Sequence, residues 1–282
     1  DVSASTPEPP ATLSATGAFA SLGTLEPRDG LISFDPIAPL WSDRAKKYRY
    51  IAVPNDMGID GDYDLANEKI VFSETGPWTY PQGTVFVKHF SLPLDEGDPD
   101  NPATLFKLET RFIVHGDDGE YYGFTYKWRD DQTDADLIPA GDTISFQKNL
   151  TVTRSDDSTY VQSWHFPTRT QCFDCHQPSS GFVLGPRARQ LNRDWDYSTT
   201  TGSSSNASAA VEANQLMTLD QLGILDRDIS VSEVTTYLTS ANIADETATL
   251  EHRVLSYLDS NCANCHQPSG AAGRADFDAL LT

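Results

Sequence analysis

The sequence predicts an α+β chain: an N-terminal antiparallel β-sandwich followed by a mainly α-helical region. Two observations predict it. Runs that alternate apolar and polar residues, the signature of half-buried strands, cluster before residue 168. Helical periodicity appears only after about residue 209 and is clearest over 247–261. Three segments result: a flexible tether over 1–30, the sandwich over 31–168, and a second region over 169–282. The tether is read from its opening, Asp1-Val-Ser-Ala-Ser-Thr-Pro-Glu-Pro-Pro10, which is too polar and proline-rich to build a core.

The strands follow in order. Lys47-Tyr-Arg-Tyr-Ile-Ala-Val53 and Gly83-Thr-Val-Phe-Val-Lys-His-Phe-Ser-Leu92 alternate. Phe106-Lys-Leu-Glu-Thr-Arg-Phe-Ile-Val114 runs into the turn cluster His115-Gly-Asp-Asp-Gly-Glu120. Tyr121-Tyr-Gly-Phe-Thr-Tyr-Lys-Trp128 returns from it, giving a hairpin. Thr143-Ile-Ser-Phe146 and Thr159-Tyr-Val-Gln-Ser-Trp164 add further strands, and this many short strands point to a sandwich. Beyond it, 198–208 reads as a surface loop and 209–222 as a helix. A helix over 230–238 is capped by Ser230, with Glu233 three residues on. On the 247–261 helix, Leu250, Val254, Tyr257 and Leu258 form one stripe expected to face the core.

Composition narrows the function. Forty-one acidic residues against 20 basic ones give a net charge of −21, which excludes a basic nucleic-acid footprint. No stretch approaches the ~20 apolar residues of a membrane span, so no transmembrane segment is expected. Asp56, Asp60, Asp62 and Asp64, with Gly58 and Gly61, form an oxygen-rich loop, but their spacing is not that of an EF-hand. They read as a solvated acidic turn, as do Asp130, Asp131, Asp134 and Asp136.

All four cysteines fall in two copies of one motif, Cys172-Phe-Asp-Cys175-His176 and Cys262-Ala-Asn-Cys265-His266. Cys-x-x-Cys-His is the attachment signature of c-type haem. Two thiols add across two vinyl groups of one porphyrin, and the adjacent histidine reaches the iron as its proximal ligand. A zinc ribbon would separate its two pairs by about 15–20 residues, far less than the step from Cys172 to Cys262. A disulfide framework gives no reason for a histidine after each pair. The expected cofactors are therefore two covalently attached haem c groups. Cys172, Cys175, Cys262 and Cys265 bind them, and His176 and His266 ligate the irons. Attachment of this kind places the protein in the periplasm or outside the cell, with any leader removed.

Each iron needs a sixth ligand to act as a low-spin carrier, usually Met or His. The supply is Met57, Met217, His89, His115, His165 and His252. Histidines outnumber methionines, so bis-histidine ligation is expected for at least one haem, with His165 and His252 the leading donors. His165 lies close before Cys172. His252 lies opposite the apolar stripe of its helix and about 15 Å along the axis from Cys262, so it suits a haem other than that of its own helix end, including one in another chain. His89 shares a face with Val85 and Val87 and reads as a core histidine. Met217 reads first as core filler.

Beyond the haem motifs, Pro39-Leu-Trp-Ser-Asp43, Pro81-Gln-Gly-Thr84, Leu108-Glu-Thr-Arg111, Trp128-Arg-Asp-Asp-Gln-Thr-Asp-Ala135 and Leu184-Gly-Pro-Arg-Ala-Arg-Gln-Leu-Asn192 carry a resemblance. Together with Arg169-Thr-Gln-Cys-Phe-Asp-Cys-His176 and Ser256-Tyr-Leu-Asp-Ser-Asn-Cys-Ala-Asn-Cys-His266, they resemble a family of secreted bacterial dihaem c-type cytochromes of largely unassigned function. The resemblance covers nearly the whole chain after about residue 30. It implies a cytochrome c-like dihaem region with the attachment residues named above. The expected function is an extracytoplasmic electron carrier serving redox partner proteins, more an electron-transfer protein than an enzyme. Two alternatives stay open. One is a subunit of a polymeric conduit, a homo-oligomer or filament with interchain haem ligation. The other is a dihaem peroxidase-like enzyme with one open iron.

Overall fold

The computed structural model of the protein describes residues 8–55, 66–141, 146–197, 212–268, 270–272 and 277–281. Its centre is one antiparallel six-stranded sheet. Two short N-terminal strands, β1 (Phe19–Ser21) and β2 (Glu26–Pro27), pair with each other outside it. The sheet runs in simple chain order: β3 (Ile32–Ser33), β4 (Lys46–Ala52), β5 (Val85–Pro93), β6 (Leu105–His115), β7 (Tyr121–Trp128) and β8 (Ala135–Leu137). The expected hairpin is present as β6 and β7, with Leu105 to His115 turning back at Tyr121.

Alternation assigns each side chain to a face. One face carries Tyr50, Val87, Phe112, Tyr126 and Trp128. The N-terminal segment closes over it, burying Leu13, Phe19 and Leu25. Residues 8–30 are thus a packed layer, where composition had indicated a tether. The Tyr126 hydroxyl donates to the Pro10 carbonyl at 2.8 Å, and Ser14 binds Asp134. Apolar residues spaced through a polar stretch were enough to seal one side of the sheet.

The opposite face carries Ile51, Phe86, Lys88, Phe90, Glu109, Arg111 and Ile113. Part of it is covered by a hairpin of β9 (Phe146–Thr153) and β10 (Thr159–Phe166). Trp164, Phe166 and Val152 of that hairpin pack on Phe90, Leu92 and Leu108. The rest is covered by the chain after residue 168, whose Cys172, Leu191, Leu216 and Tyr237 join Ile51, Phe86 and Ile113 in one cluster.

This architecture corrects the expected fold class in two respects. There is no sandwich of two comparable sheets: the second layer is a two-stranded hairpin plus loops and short helices. Nor is the later region mainly helical: its helices are short, and over all the described residues strand outweighs helix by 30% to 17%. Among the described residues its α-helices are α1 (Arg169–Cys172), α2 (Ala188–Leu191), α3 (Gln215–Gln221), α4 (Val231–Val234) and α5 (Leu250–Asn261). Two small strands, β11 (Asp194–Asp196) and β12 (Glu212–Asn214), pair between α2 and α3. Caps form where polar side chains reach free amides. Ser230 and Glu233 make the expected capping box on α4, but that helix ends after one turn. Segments this short gain little from helix propagation, and packing on the sheet supplies their stability.

The α5 face is also the reverse of that expected. Leu250, Val254 and Leu255 are 66%, 40% and 42% exposed, while Ser256 and Asp259 are buried. The inward stripe is polar: Ser256 accepts the Ala241 amide at 2.9 Å, and Asp259 takes an arginine.

His89 lies wholly inside the sheet's N-terminal face. Its ring nitrogens sit 2.8 Å from Thr110 Oγ1 and 2.9 Å from Ser91 Oγ. Burial first, and Lys107 second, lower its pKa from 6.5 to about 3. Between those values the unfolded chain takes up a proton that the folded chain refuses, so stability falls as pH drops through that window. Replacing His89 with Gln should flatten the pH dependence of unfolding free energy there by up to one proton, as read from urea melts.

Candidate functional site

Both Cys-x-x-Cys-His motifs fold into the same turn. In the first, the amides of Cys175 and His176 donate to the Cys172 carbonyl at 3.4 and 3.1 Å. In the second, the amides of Cys265 and His266 donate to the Cys262 carbonyl at 3.1 and 2.8 Å. Helical bonding of this kind sets positions i, i+3 and i+4 on one face, so each turn presents two thiols and an imidazole together. The first turn is launched by α1, whose cap Thr168 makes a reciprocal capping box with Gln171. The second continues from the end of α5, with the Cys262 amide on the Leu258 carbonyl.

The two turns meet at one cavity. Cys172, Cys175 and His176 line it from one side, and Ala263, Asn264 and Gln267 of the second motif region line it from another, while Cys262, Cys265 and His266 are not part of its lining. The sheet supplies the wall between them through Phe86, Lys88, Arg111 and Ile113. All four thiols are free. Burial drives the Cys172 thiol up to about 11. Burial also raises Cys175, and the nearby Cys265 thiol adds to it. Among the described residues no three His, Cys, Asp or Glu side chains gather to hold an ion between them.

The sheet makes room for the first turn at one position. A Cβ on Gly123 of β7 would lie 2.8 Å from Cys172 Cβ and 3.0 Å from its Sγ. Gly123→Ala should therefore push α1 off the sheet and cost about 1–3 kcal/mol, measured by chemical denaturation.

His176 is held with one ring nitrogen engaged and the other left over. Its Nδ1 is 2.6 Å from the Phe182 carbonyl. A carbonyl only accepts, so Nδ1 carries the proton and Nε2 keeps its lone pair. This is the arrangement that orients metal-binding histidines. Burial lowers the His176 pKa to about 4, with Lys88 and Arg111 adding to the effect, so the ring is neutral at physiological pH. His266 is half-buried beside the ring of Phe277 at 5.6 Å, and its Nδ1 has no hydrogen-bond partner among the described residues. An imidazole and two paired thiols on one face are the donor set that covalent haem requires.

A buried ion pair ties the two turns together. Arg189 of α2 binds both carboxylate oxygens of Asp259 of α5 through the Nε–Nη2 edge of its guanidinium, at 2.9 and 2.6 Å. The next residues repeat the step, with Gln190 Nε2 donating to Ser260 Oγ at 2.7 Å. Arg189 also donates to the Thr75 carbonyl at 2.9 Å, and Asp259 accepts the Leu281 amide at 3.1 Å. Asp259→Ala would leave a buried guanidinium without its anion, at a cost of about 3–5 kcal/mol. The urea midpoint should fall accordingly.

The leading distal candidates do not line the cavity. His165 is exposed on β10, between the buried Trp164 and Phe166. His252 lies on the inward stripe of α5, and its Nε2 is 2.9 Å from the Thr239 carbonyl, to which it donates. The His252 expectation rested on the helix face inferred from sequence, and α5 is turned the other way; that for His165 rested on its closeness in sequence to Cys172, but β10 holds it on an exposed face. Met217 packs against the core cluster. Met57 and the acidic loop at 56–64 lie outside the described residues. Asp130, Asp131, Asp134 and Asp136 are engaged by Lys148, Thr133, Ser14 and Arg129 respectively. His115 stacks on Tyr121 at 4.3 Å, which stacks on Phe182 at 4.6 Å.

Sequence reasoning missed the cations of the cavity: Arg49, Lys88, Arg111, Arg187 and Arg189. A signal was present, since Arg49, Lys88 and Arg111 each occupy the interior of an apolar strand run. The chain matches no protein family, no curated protein and no solved structure.

Proposed function

We propose that the protein is an extracytoplasmic dihaem c-type cytochrome that carries single electrons between redox partner proteins. The observation that carries this reading is that both Cys-x-x-Cys-His motifs fold into the same turn, and that the two thiols and the imidazole of the first line one cavity. The resemblance to secreted dihaem cytochromes supports it. So does the chain's use of every cysteine in these two units.

Bound haem supplies the one-electron iron couple. The chain's own residues set its surroundings. Cys172 and Cys175 tether one porphyrin, and Cys262 and Cys265 the other. His176 and His266 offer imidazole nitrogens to the irons. The Phe182 carbonyl holds the tautomer of His176. Phe86 and Ile113 present an apolar wall that limits water, which lets a centre change charge with little solvent reorganisation. Among the described residues no helix is long and apolar enough to cross a membrane.

Intact mass of the denatured protein, produced in a host that matures c-type cytochromes, should exceed the apoprotein by two haems. A gain of one haem or none would overturn the reading.

A further inference from the structure

Register places three cations side by side on the cavity face of the sheet. Arg49 of β4 is the cross-strand partner of Lys88 of β5, and Lys88 is the partner of Arg111 of β6. Like charges directly opposite one another destabilise a sheet, and here they do so beside an apolar cavity wall. Two of the three are compensated. Asp35 meets Arg49 at 2.5 Å, and the fully buried Glu109 meets Arg111 at 2.5 Å. Lys88, the middle rung, forms no ion pair among the described residues. Its ammonium lies 4.8 Å from the centre of the Phe90 ring, with the Arg111 guanidinium over the same ring at 4.6 Å. Burial, then Arg49, Arg111 and Lys47, push its pKa far below the usual lysine range. Of this row of three, in a chain with twice as many acids as bases, the middle cation is left without an acid.

The neighbouring row of the sheet shows what faces that cation. Ile51, Phe86, Ile113 and Gly123 are successive cross-strand partners, and Gly123 is where Cys172 rests. Lys88 sits two strands from that point, about 10 Å at the ordinary spacing between strands. In a porphyrin of this type the vinyl groups that form thioethers and the two carboxylates lie on opposite edges of the ring. A ring tethered at Cys172 and lying along this face of the sheet would have its carboxylate edge at the cation row.

We propose that Lys88, flanked by Arg49 and Arg111, is the counter-charge for a carboxylate of the haem tethered at Cys172 and Cys175. The assignment rests on the dihaem reading above and adds to it the orientation of one porphyrin. Removing the charge disfavours the reduced, more electron-rich state.

The test uses the holoprotein with Lys88→Met and Lys88→Arg, and with Lys88→Gln as the neutral variant if the Met form does not fold. Intact mass comes first: a wild type without haem defeats the dihaem reading and is recognised as such. In the haem-loaded proteins, the neutral variants should lower the midpoint potential of one haem and move a carboxylate-bending band in resonance Raman, while Lys88→Arg restores both. An unchanged potential and band in the neutral variants would overturn the assignment. Loss of the low-spin ligand-field bands in them would also overturn it, because Lys88 would then be an iron ligand. Acetate added to the wild type should change nothing. A saturable shift that the neutral variants lose would make the row a site for a free carboxylate and defeat the proposal.

Discussion

The bidentate pair of Arg189 and Asp259 is the joint on which the arrangement of this chain depends. Placing two charges away from water is costly, and the attraction between them offsets that cost only when geometry is good and remaining hydrogen-bond capacity is filled. Here it is filled by the Thr75 carbonyl on one side and the Leu281 amide on the other. The consequence is positional. Asp259 precedes Cys262 by less than one helical turn, and Arg189 belongs to the short helix that follows the first motif. Fixing one against the other fixes the mouths of both turns on a shared cavity. An apolar contact between α2 and α5 would have held them without specifying their register.

The sheet serves this joint as a platform with two unlike faces. One face is aromatic and sealed by the N-terminal segment. Even its histidine is neutral there, with both ring nitrogens partnered. The other face mixes an apolar row with a cationic row, one register step apart. Such a row in a sheet interior conflicts with folding stability taken alone, and conflicts of this kind are expected where function has been placed. The acidic excess of the chain lies elsewhere, on exposed positions such as Asp130 and Asp131 of a turn and Asp136 of β8. Charge is thus segregated: negative on the outside, positive at the cavity.

Much of this was legible in sequence where a local rule suffices. The β6–β7 hairpin follows from alternation broken by a Gly-Asp-Asp-Gly turn. The capping box of Ser230 follows from residue spacing. The two motifs name their own chemistry. What was not legible depended on partners distant in the chain. The apolar stripe of α5 looked inward because periodicity reports amphipathicity and not which side is covered. Arg189, 70 positions away, recruits Asp259 and turns the polar side in. His252 turned in with it and gave its Nε2 to Thr239. The N-terminal segment looked like a tether because its few apolar residues, Leu13, Phe19 and Leu25, have no periodicity of their own. The sheet face that receives them supplies it. Lys88 was visible as a lysine inside a strand, but its register with Arg49 and Arg111 needed the pairing of three strands.

The brevity of the helices has a physical logic in this setting. A haem-attachment turn needs only enough helix to place three side chains on one face, and a single turn after Cys172 does so. Longer helices around a porphyrin supply apolar walls, but here the sheet already supplies one. With Gly123 admitting Cys172 against the strands and Phe86 and Ile113 behind it, the first turn can rest directly on β structure. The second turn has no such backing and is carried instead by α5, the longest helix described and the one docked through buried charge. The two motifs share a spelling and a local fold, yet are supported by opposite means: close contact with a sheet in one case, an ion-paired helix in the other. That asymmetry gives the two turns different surroundings, which, on the dihaem reading proposed above, is the condition for two otherwise identical centres to differ in potential.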